Sequence, residues 1–324
     1  MILAGDIGGT KVNLAGYDRS SGMLQLVAQE TFHSRDFSSL SEIVAKFLEG
    51  KNWDILRACF GIAGPVINGV CHTTNLPWVV ESNALSAQLD GAPALLINDL
   101  EANASGIKVL GPNELCTLQV GQKGAVGNMA LISAGTGLGE AGLYWVGMDH
   151  RPFACEGGHV DFSPTSELDT ELFLHLHKKF GHVSWERLLS GQGQVNIYEF
   201  LRQRSGVAEP CWLGEEMQAN DPAAVITQTA LTKKDPVCEQ ALDLFVTYYG
   251  VKAGNLALTI MSTGGLYIGG GIAPRILSKL QEPLFLNAFL AKGRMRPILE
   301  KMPVKVILNS KTALIGAAHR AAMA

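Results

Sequence analysis

An excess of basic residues is the first thing that this sequence lacks. Its 324 residues include 26 Lys and Arg against 30 Asp and Glu, which gives a formal net charge of −4. Proteins that bind nucleic acid or anionic membranes usually carry a basic surface. Lys292, Arg294 and Arg296 form a short basic cluster, which we interpret as a solvated face or the neighbour of a bound phosphate. The charge balance therefore disfavours nucleic acid and membrane surfaces as partners.

Paired cysteine motifs and an export signal are also missing. None of the six cysteines forms a Cys-x-x-Cys pair, and the chain opens with a strand-like segment at 1–7. Because disulfide frameworks are typical of small exported domains, reduced thiols in a cytoplasm are expected here. Zinc is a rival explanation for His159, but Cys155 is the only cysteine near it in sequence. A structural zinc site is therefore not expected.

One long uncharged segment, 253–273, is long enough to cross a bilayer. It contains six glycines and is interrupted by polar residues such as Asn255 and Thr259. These features favour a buried helix that ends near Gly264, followed by a strand at 266–268. A membrane span is therefore not expected.

The apolar pattern of the chain indicates an α/β protein. Hydrophobic residues make up 47% and charged residues 17%, which allows a large core, and the length suggests two domains. Short apolar segments predict strands at 2–5, 13–17, 57–62, 94–97, 129–133, 141–145, 266–268 and 304–308. Helical patterns predict helices at 39–49, 101–107, 167–180, 235–261 and 312–323. This alternation of hairpins and strand–helix units predicts α/β architecture with mixed sheets.

A weak internal repeat indicates how these elements are organised. The segments 3–10 and 132–139 both consist of a strand, a turn of small residues and a second strand. Two similar hairpins predict a duplicated domain with a cleft between the copies. Gly111, Pro112 and Asn113 supply turn chemistry near the expected boundary.

Three glycine-rich turns are candidates for phosphate binding: 5–11, 135–139 and 269–272. Glycine allows backbone amides to approach a phosphate closely. Thr10 and Thr136 add hydroxyl donors, and Asp6 is a candidate to hold Mg²⁺ through its water shell. No Walker A string occurs, and the first two turns lead into strands, unlike a dinucleotide fingerprint. A lone turn of this kind is more often a tight hairpin, but three together favour phosphate binding.

The segment 95–103 offers a candidate general base. An apolar strand delivers Asn98 and Asp99 to its carboxyl end, where ligands of α/β sheets commonly bind, and a helix follows. Asp99 is a candidate to take the proton of an attacking hydroxyl. A lone Asp here is better explained as a helix cap, but the roles are compatible because the helix dipole keeps the carboxylate ionised.

Glu156, His159 and Glu186 are candidates for binding a polyol, because carboxylates and imidazole form strong hydrogen bonds with sugar hydroxyls. Taken singly, His159 is better explained as a core or surface histidine with a satisfied ring. Glu186 is likewise better explained as a first-turn helix carboxylate after Ser184, a possible cap. The two glycines between Glu156 and His159 weaken these explanations, because their backbone suits a crowded site.

In this order the motifs match those of bacterial glucokinases, and the chain resembles that family over essentially its whole length. The resemblance rests on the glycine turns, Asn98-Asp99, Glu156-Gly-Gly-His-Val-Asp-Phe162, the segment 183–191 and Gly269-Gly-Gly-Ile-Ala-Pro274. Two residues depart from the usual pattern, since Lys11 replaces an Asn and Gln192 stands where Pro is common. Kinases of the related repressor and kinase (ROK) family usually carry a cysteine-rich zinc motif, which this sequence lacks.

The resemblance implies two actin-like (ribonuclease H-like) α/β domains with mixed sheets that flank an interdomain cleft. Residues 1–110 and 312–324 would form the small domain and 111–311 the large one. It also implies ATP-dependent phosphorylation of glucose with Mg²⁺ as cofactor and Asp99 as general base, and it allows a homodimer. Glucose binding is assigned to Asn75, Asn98, Asp99, Glu156, His159 and Glu186. ATP binding is assigned to Gly5, Asp6, Ile7, Gly8, Gly9, Thr10, Gly135, Thr136, Gly137, Gly270 and Gly271, with Asp6 holding the metal through water.

Proteins of other classes share this kind of fold. A sugar-responsive repressor needs a DNA-binding segment before the first glycine turn, and only five residues precede Asp6, so none is expected. A filament or chaperone ATPase has no use for a polyol pocket. The closer alternative is a kinase for mannose, fructose or an N-acetylhexosamine, because epimers differ by one hydroxyl and geometry decides between them.

Overall fold

The computed structural model describes residues 1–19, 24–73 and 76–323. Its strands are β1 (Ile2–Ile7), β2 (Lys11–Asp18), β3 (Gln25–His33), β4 (Arg57–Ile62), β5 (Val66–Ile67), β6 (Val70–His72), β7 (Val79–Glu81), β8 (Ala94–Asn98), β9 (Leu115–Gln119), β10 (Met129–Ala134), β11 (Leu138–Trp145), β12 (His150–Cys155), β13 (Gly265–Gly269) and β14 (Val304–Ile307). Its helices are α1 (Leu40–Leu48), α2 (Ser82–Gln88), α3 (Asp99–Ile107), α4 (Glu167–Phe180), α5 (Gly191–Ser205), α6 (Cys211–Ala219), α7 (Pro222–Leu231), α8 (Pro236–Ile260), α9 (Leu277–Leu280), α10 (Pro283–Leu290), α11 (Arg296–Leu299) and α12 (Thr312–Met323).

These elements form two compact units. The first comprises Met1–Glu114, Pro152–Ala154 and Asn309–Ala324, and the second comprises Leu115–Arg151 and Cys155–Leu308. Each unit contains a mixed sheet with helices packed against it, so the predicted α/β class is confirmed.

The first unit is built on a five-stranded sheet in the order β3-β2-β1-β4-β8. β1 pairs with β2 in an antiparallel manner, and β1, β4 and β8 are parallel. Alternate residues of β1 point to opposite faces, as the strand repeat requires. Leu3 and Ile7 pack in one cluster with residues of α1, whereas Ile2 and Ala4 pack in another with residues of α12. Both faces of this sheet are therefore covered.

The second unit contains most of a six-stranded sheet in the order β12-β11-β10-β13-β14-β9. β10 is antiparallel to β11 and parallel to β13, which in turn is parallel to β14. The long helix α8 packs in the core with Phe245 and Tyr249 fully buried. Its start follows the predicted signal, because Asp235 accepts hydrogen bonds from the N–H groups of Val237 and Cys238 and Pro236 occupies the first helical position.

The uncharged segment 253–273 is resolved into the end of α8 and the strand β13, as its glycines and polar residues predicted. Of the helices that the structure describes, none combines the length and the apolar character that a membrane crossing requires.

Every strand and helix predicted from the sequence is present, with ends that differ by a few residues. Other elements were missed, and most of them are short or polar. They are the edge strands β3, β9 and β12, the small sheet β5-β6-β7, and the helices α2, α5, α6, α7 and α9 to α11.

Candidate active site

The first glycine turn is the tip of the β1–β2 hairpin, as predicted. Gly8, Gly9 and Thr10 form this tip and are partly or fully exposed, whereas Gly5 and Ile7 are buried within β1. A Cβ on Gly5 would collide with core side chains on both neighbouring strands. The tip is therefore the part of this motif that can present backbone amides to a phosphate.

Hydrogen bonds hold the tip in one conformation. The N–H of Gly8 donates to the Lys11 carbonyl at 2.9 Å. Ser34 donates its hydroxyl to the Gly8 carbonyl at 2.9 Å and its N–H to the Thr10 carbonyl at 3.0 Å. The N–H of Gly8 is thus already engaged, so a phosphate would be bound by the amides that follow it.

Asp6 lies one residue before the end of β1, beside this tip. Its Oδ2 accepts a hydrogen bond from Asn13 Nδ2 at 3.2 Å, and Asn13 Oδ1 accepts one from the Thr31 hydroxyl at 2.8 Å. Burial raises the pKa of Asp6 and the bond from Asn13 opposes that rise. A cation nearby would favour the ionised carboxylate, which is what a magnesium site provides.

A magnesium ion at Asp6 would draw most of its ligands from water and phosphate. Over the described residues, no group of three or more His, Cys, Asp and Glu side chains is placed to hold a metal ion. Mg²⁺ bound to a nucleotide usually needs only one or two carboxylates and keeps several waters. Asp6 fits that donor set.

The junction of β8 and α3 places Asn98 at the cap of the helix. Asn98 Oδ1 accepts a hydrogen bond from the Leu100 N–H at 2.9 Å, and Glu101 Oε2 accepts one from the Asn98 N–H at 3.1 Å. Asn98 Nδ2 donates to the Gly64 carbonyl at 3.2 Å. The capping role that the sequence suggested for Asp99 therefore belongs to Asn98, which is the residue in extended conformation before the first turn.

Asp99 is the first residue of α3 and is partly buried. Its Oδ1 accepts a hydrogen bond from the Leu100 N–H at 3.0 Å. The start of α3 lies close to β4, because a Cβ added to Gly61 would overlap Ala102 and lie 3.6 Å from the Asp99 Cα. The positive end of the helix dipole stabilises a carboxylate at this position.

Asp6 and Asp99 both lie at the carboxyl end of the parallel strands in the first unit's sheet. In the parallel register Asp6 pairs with Gly61 of β4, and Ile62 pairs with Asn98 of β8. With strands about 4.8 Å apart, the backbones of Asp6 and Asn98 are separated by roughly 10 Å. The structure therefore places the metal candidate and the base candidate at the carboxyl end of the same sheet.

The second glycine turn is the tip of the β10–β11 hairpin, also as predicted. The Gly135 N–H donates to the Gly137 carbonyl, and the Gly135 carbonyl accepts from the N–H of Gly191 at the start of α5, both at 2.9 Å. Among the described residues, no heavy atom comes within 4 Å of a Cβ built on Gly135. Thr136 and Gly135 thus face open space beside a helix N-terminus, which suits an anionic ligand.

Glu186 is tied to this second turn. It lies in a short 3-10 helix, Trp185–Arg187, and its Oε2 accepts a hydrogen bond from the Leu138 N–H at 2.9 Å. A Cβ on Gly137 would overlap the same carboxylate oxygen. Within the described residues the Ser184 side chain makes no capping bond, so Glu186 is held by the start of β11 and not by a helix-capping arrangement.

Glu156 immediately precedes a second 3-10 turn, Gly157–His159, and His159 is the last residue of that turn. Their side chains are 69% and 58% exposed, and His159 Nε2 lies 3.9 Å from Glu156 Oε2. The Trp185 N–H donates to the Val160 carbonyl at 3.1 Å, which joins this turn to the helix that carries Glu186. The second unit thus brings together three of the residues predicted to bind the sugar.

The third glycine turn borders a cavity of about 840 Å³ within the second unit. Gly270 has a φ of +84°, and a Cβ there would overlap the Ala134 carbonyl, so this position requires glycine. Gly271, Gly135 and Thr136 line the cavity. Its volume lies in the range of pockets that hold a molecule of nucleoside size.

Gln194 is a residue of this cavity that sequence reasoning missed. Its side chain is only 4% exposed, and its Oε1 accepts a hydrogen bond from the Thr227 hydroxyl at 3.0 Å. Over the part of the chain that the structure describes, Nε2 has no hydrogen-bond partner. Gln192, noted above as a departure from the family pattern, lines the same cavity. Polar residues on a helix resemble a solvated face, so no local pattern marked Gln194 as a cavity residue.

The predicted site residues are distributed over both units. The first unit carries Gly5, Asp6, Ile7, Gly8, Gly9, Thr10, Asn98 and Asp99. The second carries Gly135, Thr136, Gly137, Glu156, His159, Glu186, Gly270 and Gly271. Asn75, the remaining sugar-binding candidate, lies outside the described residues.

Comparisons with known proteins place the chain in a family. The family model described as Glucokinase matches residues 3–324. A glucokinase of Nostoc punctiforme is 44% identical and covers 99% of both chains. The crystal structure of a glucokinase from an Antarctic psychrotroph has a TM-score of 0.86 at 32% identity, over 100% of this chain and 99% of that one.

A more distant neighbour shares the fold. The structure of a ROK family glucokinase from Streptomyces griseus, in complex with glucose and AMPPNP, has a TM-score of 0.64 at 20% identity and covers 100% of this chain and 99% of that one. These kinases have the actin-like architecture that the resemblance implied, so that prediction is confirmed. The chain belongs to the glucokinase family.

Proposed function

We propose that this protein transfers the γ-phosphoryl group of MgATP to the 6-hydroxyl of glucose, forming glucose 6-phosphate and ADP. The observation that carries the proposal is the hydrogen bond from the Leu138 N–H to Glu186 Oε2 at 2.9 Å. It joins a turn that we propose to bind phosphate to a carboxylate that we propose to bind the sugar, within one unit. The names of the relatives and the ligands of the Streptomyces griseus enzyme support glucose and ATP as the two substrates.

The nucleoside of ATP would occupy the 840 Å³ cavity of the second unit. Gly135 and Gly271 border it, and a side chain at either position would enter the space that the ligand needs. Thr136, at the mouth of the second turn, adds a hydroxyl donor for a phosphate oxygen. Glycine turns and helix N-termini bind phosphate through backbone N–H groups in many unrelated proteins.

The first unit would bind the terminal phosphates through the tip formed by Gly8, Gly9 and Thr10. Asp6 would hold Mg²⁺ through water, and the metal would neutralise charge on the β- and γ-phosphates. The transition state of phosphoryl transfer is loose, so catalysis rests mainly on positioning and on electrostatic stabilisation. Rigid turns supply that positioning.

The sugar hydroxyls would pair with Asn98, Asp99, Glu156, His159 and Glu186. Carboxylates accept hydrogen bonds from hydroxyls, and these charge-assisted bonds are stronger than neutral ones. The exposed positions of Glu156 and His159 leave both side chains accessible to a ligand.

Asp99 would be the general base of the reaction. A carboxylate at the first position of a helix is held ionised by the dipole and so can accept the proton of the 6-hydroxyl as phosphorus is attacked. The reaction would take place in the cytoplasm, where unbridged cysteines such as the six in this chain are usual.

The proposal is tested by measuring ADP release from MgATP with glucose, mannose, fructose and N-acetylglucosamine. Strong turnover with glucose alone is the expected result. Turnover that favours another of these sugars would keep the kinase mechanism and replace the substrate. ATP hydrolysis that is indifferent to every sugar would overturn the proposal and favour a sugar-independent ATPase.

A further inference from the structure

A buried ion pair lies in the second unit, outside the residues assigned to either substrate. Lys252 Nζ of α8 and Glu140 Oε1 of β11 are 2.9 Å apart, with side chains only 6% and 2% exposed. Removing two charges from water is costly, and replacing such a pair by apolar residues is often neutral or stabilising. Stability alone is therefore a poor explanation for its presence.

The pair lies directly under the turn that carries Glu156 and His159. A Cβ on Gly157 would overlap Glu140 Oε2, so the backbone of the turn rests on that carboxylate. A Cβ on Gly158 would overlap the Leu138 carbonyl of the same strand. The turn therefore packs without a gap on β11, and the Glu140 carboxylate is part of the surface beneath it.

We propose that the Lys252–Glu140 ion pair positions the Glu156–His159 turn and thereby sets the affinity of the enzyme for its sugar. This inference rests on the proposed function for its effect on the sugar. Both residues act through the turn and are positioning residues, since neither is exposed to a ligand.

The charge of Lys252 is what fixes the carboxylate. Burial raises the pKa of Glu140, and the neighbouring Lys252 opposes that rise. Without the ammonium group, the buried carboxylate must either take up a proton or move toward water. Either change alters the surface on which Gly157 packs.

A second residue on the same face of α8, Tyr249, contacts the strands that lead into the glycine turns proposed to bind the nucleotide. The Tyr249 hydroxyl accepts a hydrogen bond from the Ala134 N–H at 3.2 Å and lies 3.4 Å from the Gly269 carbonyl. Ala134 and Gly269 end the strands that lead into the second and third glycine turns. Residues three positions apart on α8 thus support the nucleotide turns and the sugar turn separately.

The test is the double variant Lys252→Met/Glu140→Gln, assayed for the KM of glucose and of ATP. We expect the KM of glucose to rise about tenfold or more while the KM of ATP changes by less than about twofold. A double variant is used because Lys252→Met alone leaves an unpaired buried carboxylate and is prone to misfold.

The matched control is Arg202→Met/Asp235→Asn. This pair also lies in the second unit and is similarly buried, with side chains 9% and 5% exposed. Arg202 lies eleven residues after Gly191 on α5, or about 16 Å along the helix. The control should lose thermal stability but keep the KM of glucose within about twofold of the parent value.

Amide hydrogen exchange of the peptide spanning 155–160 gives a readout that needs no sugar. The His159 N–H donates to the Glu156 carbonyl at 3.0 Å in the ordered turn, so loosening the turn should speed its exchange about tenfold in the test variant and not in the control. If the parent phosphorylates a sugar and the Lys252→Met/Glu140→Gln variant has the same KM for that sugar, the inference is overturned. If the parent protein phosphorylates no sugar, the proposed function fails, and unchanged exchange then overturns the positioning role by itself.

Discussion

Asp99 is the residue on which the proposed chemistry depends most directly. Asp99→Asn keeps the shape of the side chain but removes the proton acceptor. We expect kcat to fall by about 10²- to 10⁴-fold, since general-base catalysis typically contributes that factor, while the KM of glucose changes little. Steady-state kinetics with saturating MgATP measures both constants.

Asp36→Asn is the control for this change, because Asp36 is an exposed carboxylate of the same unit. It should leave kcat within about twofold of the parent value. Near-normal turnover of Asp99→Asn would remove Asp99 from the role of base.

A substitution at Gln194 tests whether the 840 Å³ cavity of the second unit binds the nucleotide. Gln194 Oε1 accepts a hydrogen bond from the Thr227 hydroxyl, and among the described residues its buried Nε2 donor has no hydrogen-bond partner, which leaves it available to a nucleotide. Gln194→Leu should raise the KM of ATP about five- to tenfold, the loss expected for one neutral hydrogen bond, and leave the KM of glucose unchanged. Gln203→Leu on the exposed face of α5 is the matched control. Equal ATP constants for the two variants would contradict a role for Gln194.

At the residue scale, sequence patterns predicted the ends of strands better than they predicted pairs of side chains. Asn98 and Asp99 were proposed because they follow an apolar strand, where ligands of α/β sheets commonly bind, and Asp6 was proposed because it lies in a glycine-rich turn. The partnership of Glu140 with Lys252 joins residues 112 positions apart, and no local pattern reports it. Burial of a charged side chain is decided by tertiary packing.

Among the elements, α3 begins with a cap that also lies in the candidate site. Asn98→Ala removes the acceptor for the Leu100 N–H and should lower the free energy of unfolding by about 1 kcal/mol, within the 0.5–2 kcal/mol range of helix caps. Activity should fall as well, because the cap orients Asp99. Chemical denaturation and a kinase assay on the same preparation measure the two effects.

Ser39→Ala provides the comparison for this variant. Ser39 caps α1 by accepting a hydrogen bond from the Glu42 N–H, and α1 carries none of the candidate residues. Its loss of stability should be similar, but kcat should not change. Equal activity losses in both variants would mean that the cap of α3 contributes through stability alone.

The crossing of α3 and α12 tests how closely two elements pack. A Cβ on Gly316 would overlap the Ala102 carbonyl, so Gly316→Ala forces backbones apart. Replacing a helical glycine by alanine normally stabilises by about 0.5–1 kcal/mol, but here overpacking should destabilise by about 1–3 kcal/mol. Gly214→Ala in α6 is the control, because the nearest atom there belongs to the flexible Glu209 side chain. A gain in melting temperature for Gly316→Ala would refute this account of the crossing.

The elements that the sequence predicted are those whose apolar pattern is continuous. β1 and β4 are short apolar runs, and α8 has both its cap and Pro236. Helix α5 was missed because polar residues such as Gln194 and Asn196 interrupt its buried face. Edge strands such as β3, which is mostly exposed, also lack a distinctive pattern.

At the scale of the whole molecule, the weak internal repeat reflects a duplication of topology. The order β3-β2-β1-β4-β8 in the first unit matches β12-β11-β10-β13-β14 in the second, with the hairpin and the parallel strands in the same places. Asp6 is the second-last residue of β1 and Ser133 is the second-last residue of β10, so the two occupy equivalent positions before their hairpin tips. The two copies have therefore diverged, and only the first retains a carboxylate at the position where a metal is proposed.

That carboxylate should reduce the stability of the free protein at neutral pH. Because burial raises the pKa of Asp6, the folded chain favours the protonated form more than the unfolded chain does. Its contribution to stability is present below the ordinary Asp value of 3.8 and is lost as the pH rises through the raised pKa. Asp6→Asn should therefore increase the melting temperature at pH 7, and the difference should vanish at the acidic end of the range.

The same substitution should lower kcat, because the variant loses the group proposed to hold Mg²⁺. Melting curves of Asp6→Asn and Asp36→Asn are measured at several pH values. Because Asp36 is exposed, Asp36→Asn should not change the melting temperature at any of them. MgATP should raise the melting temperature of the parent more than that of Asp6→Asn, since a ligand stabilises the form that binds it better. A lower melting temperature for Asp6→Asn at pH 7 would show that Asp6 stabilises the fold, whereas equal MgATP shifts would show that the metal is held elsewhere.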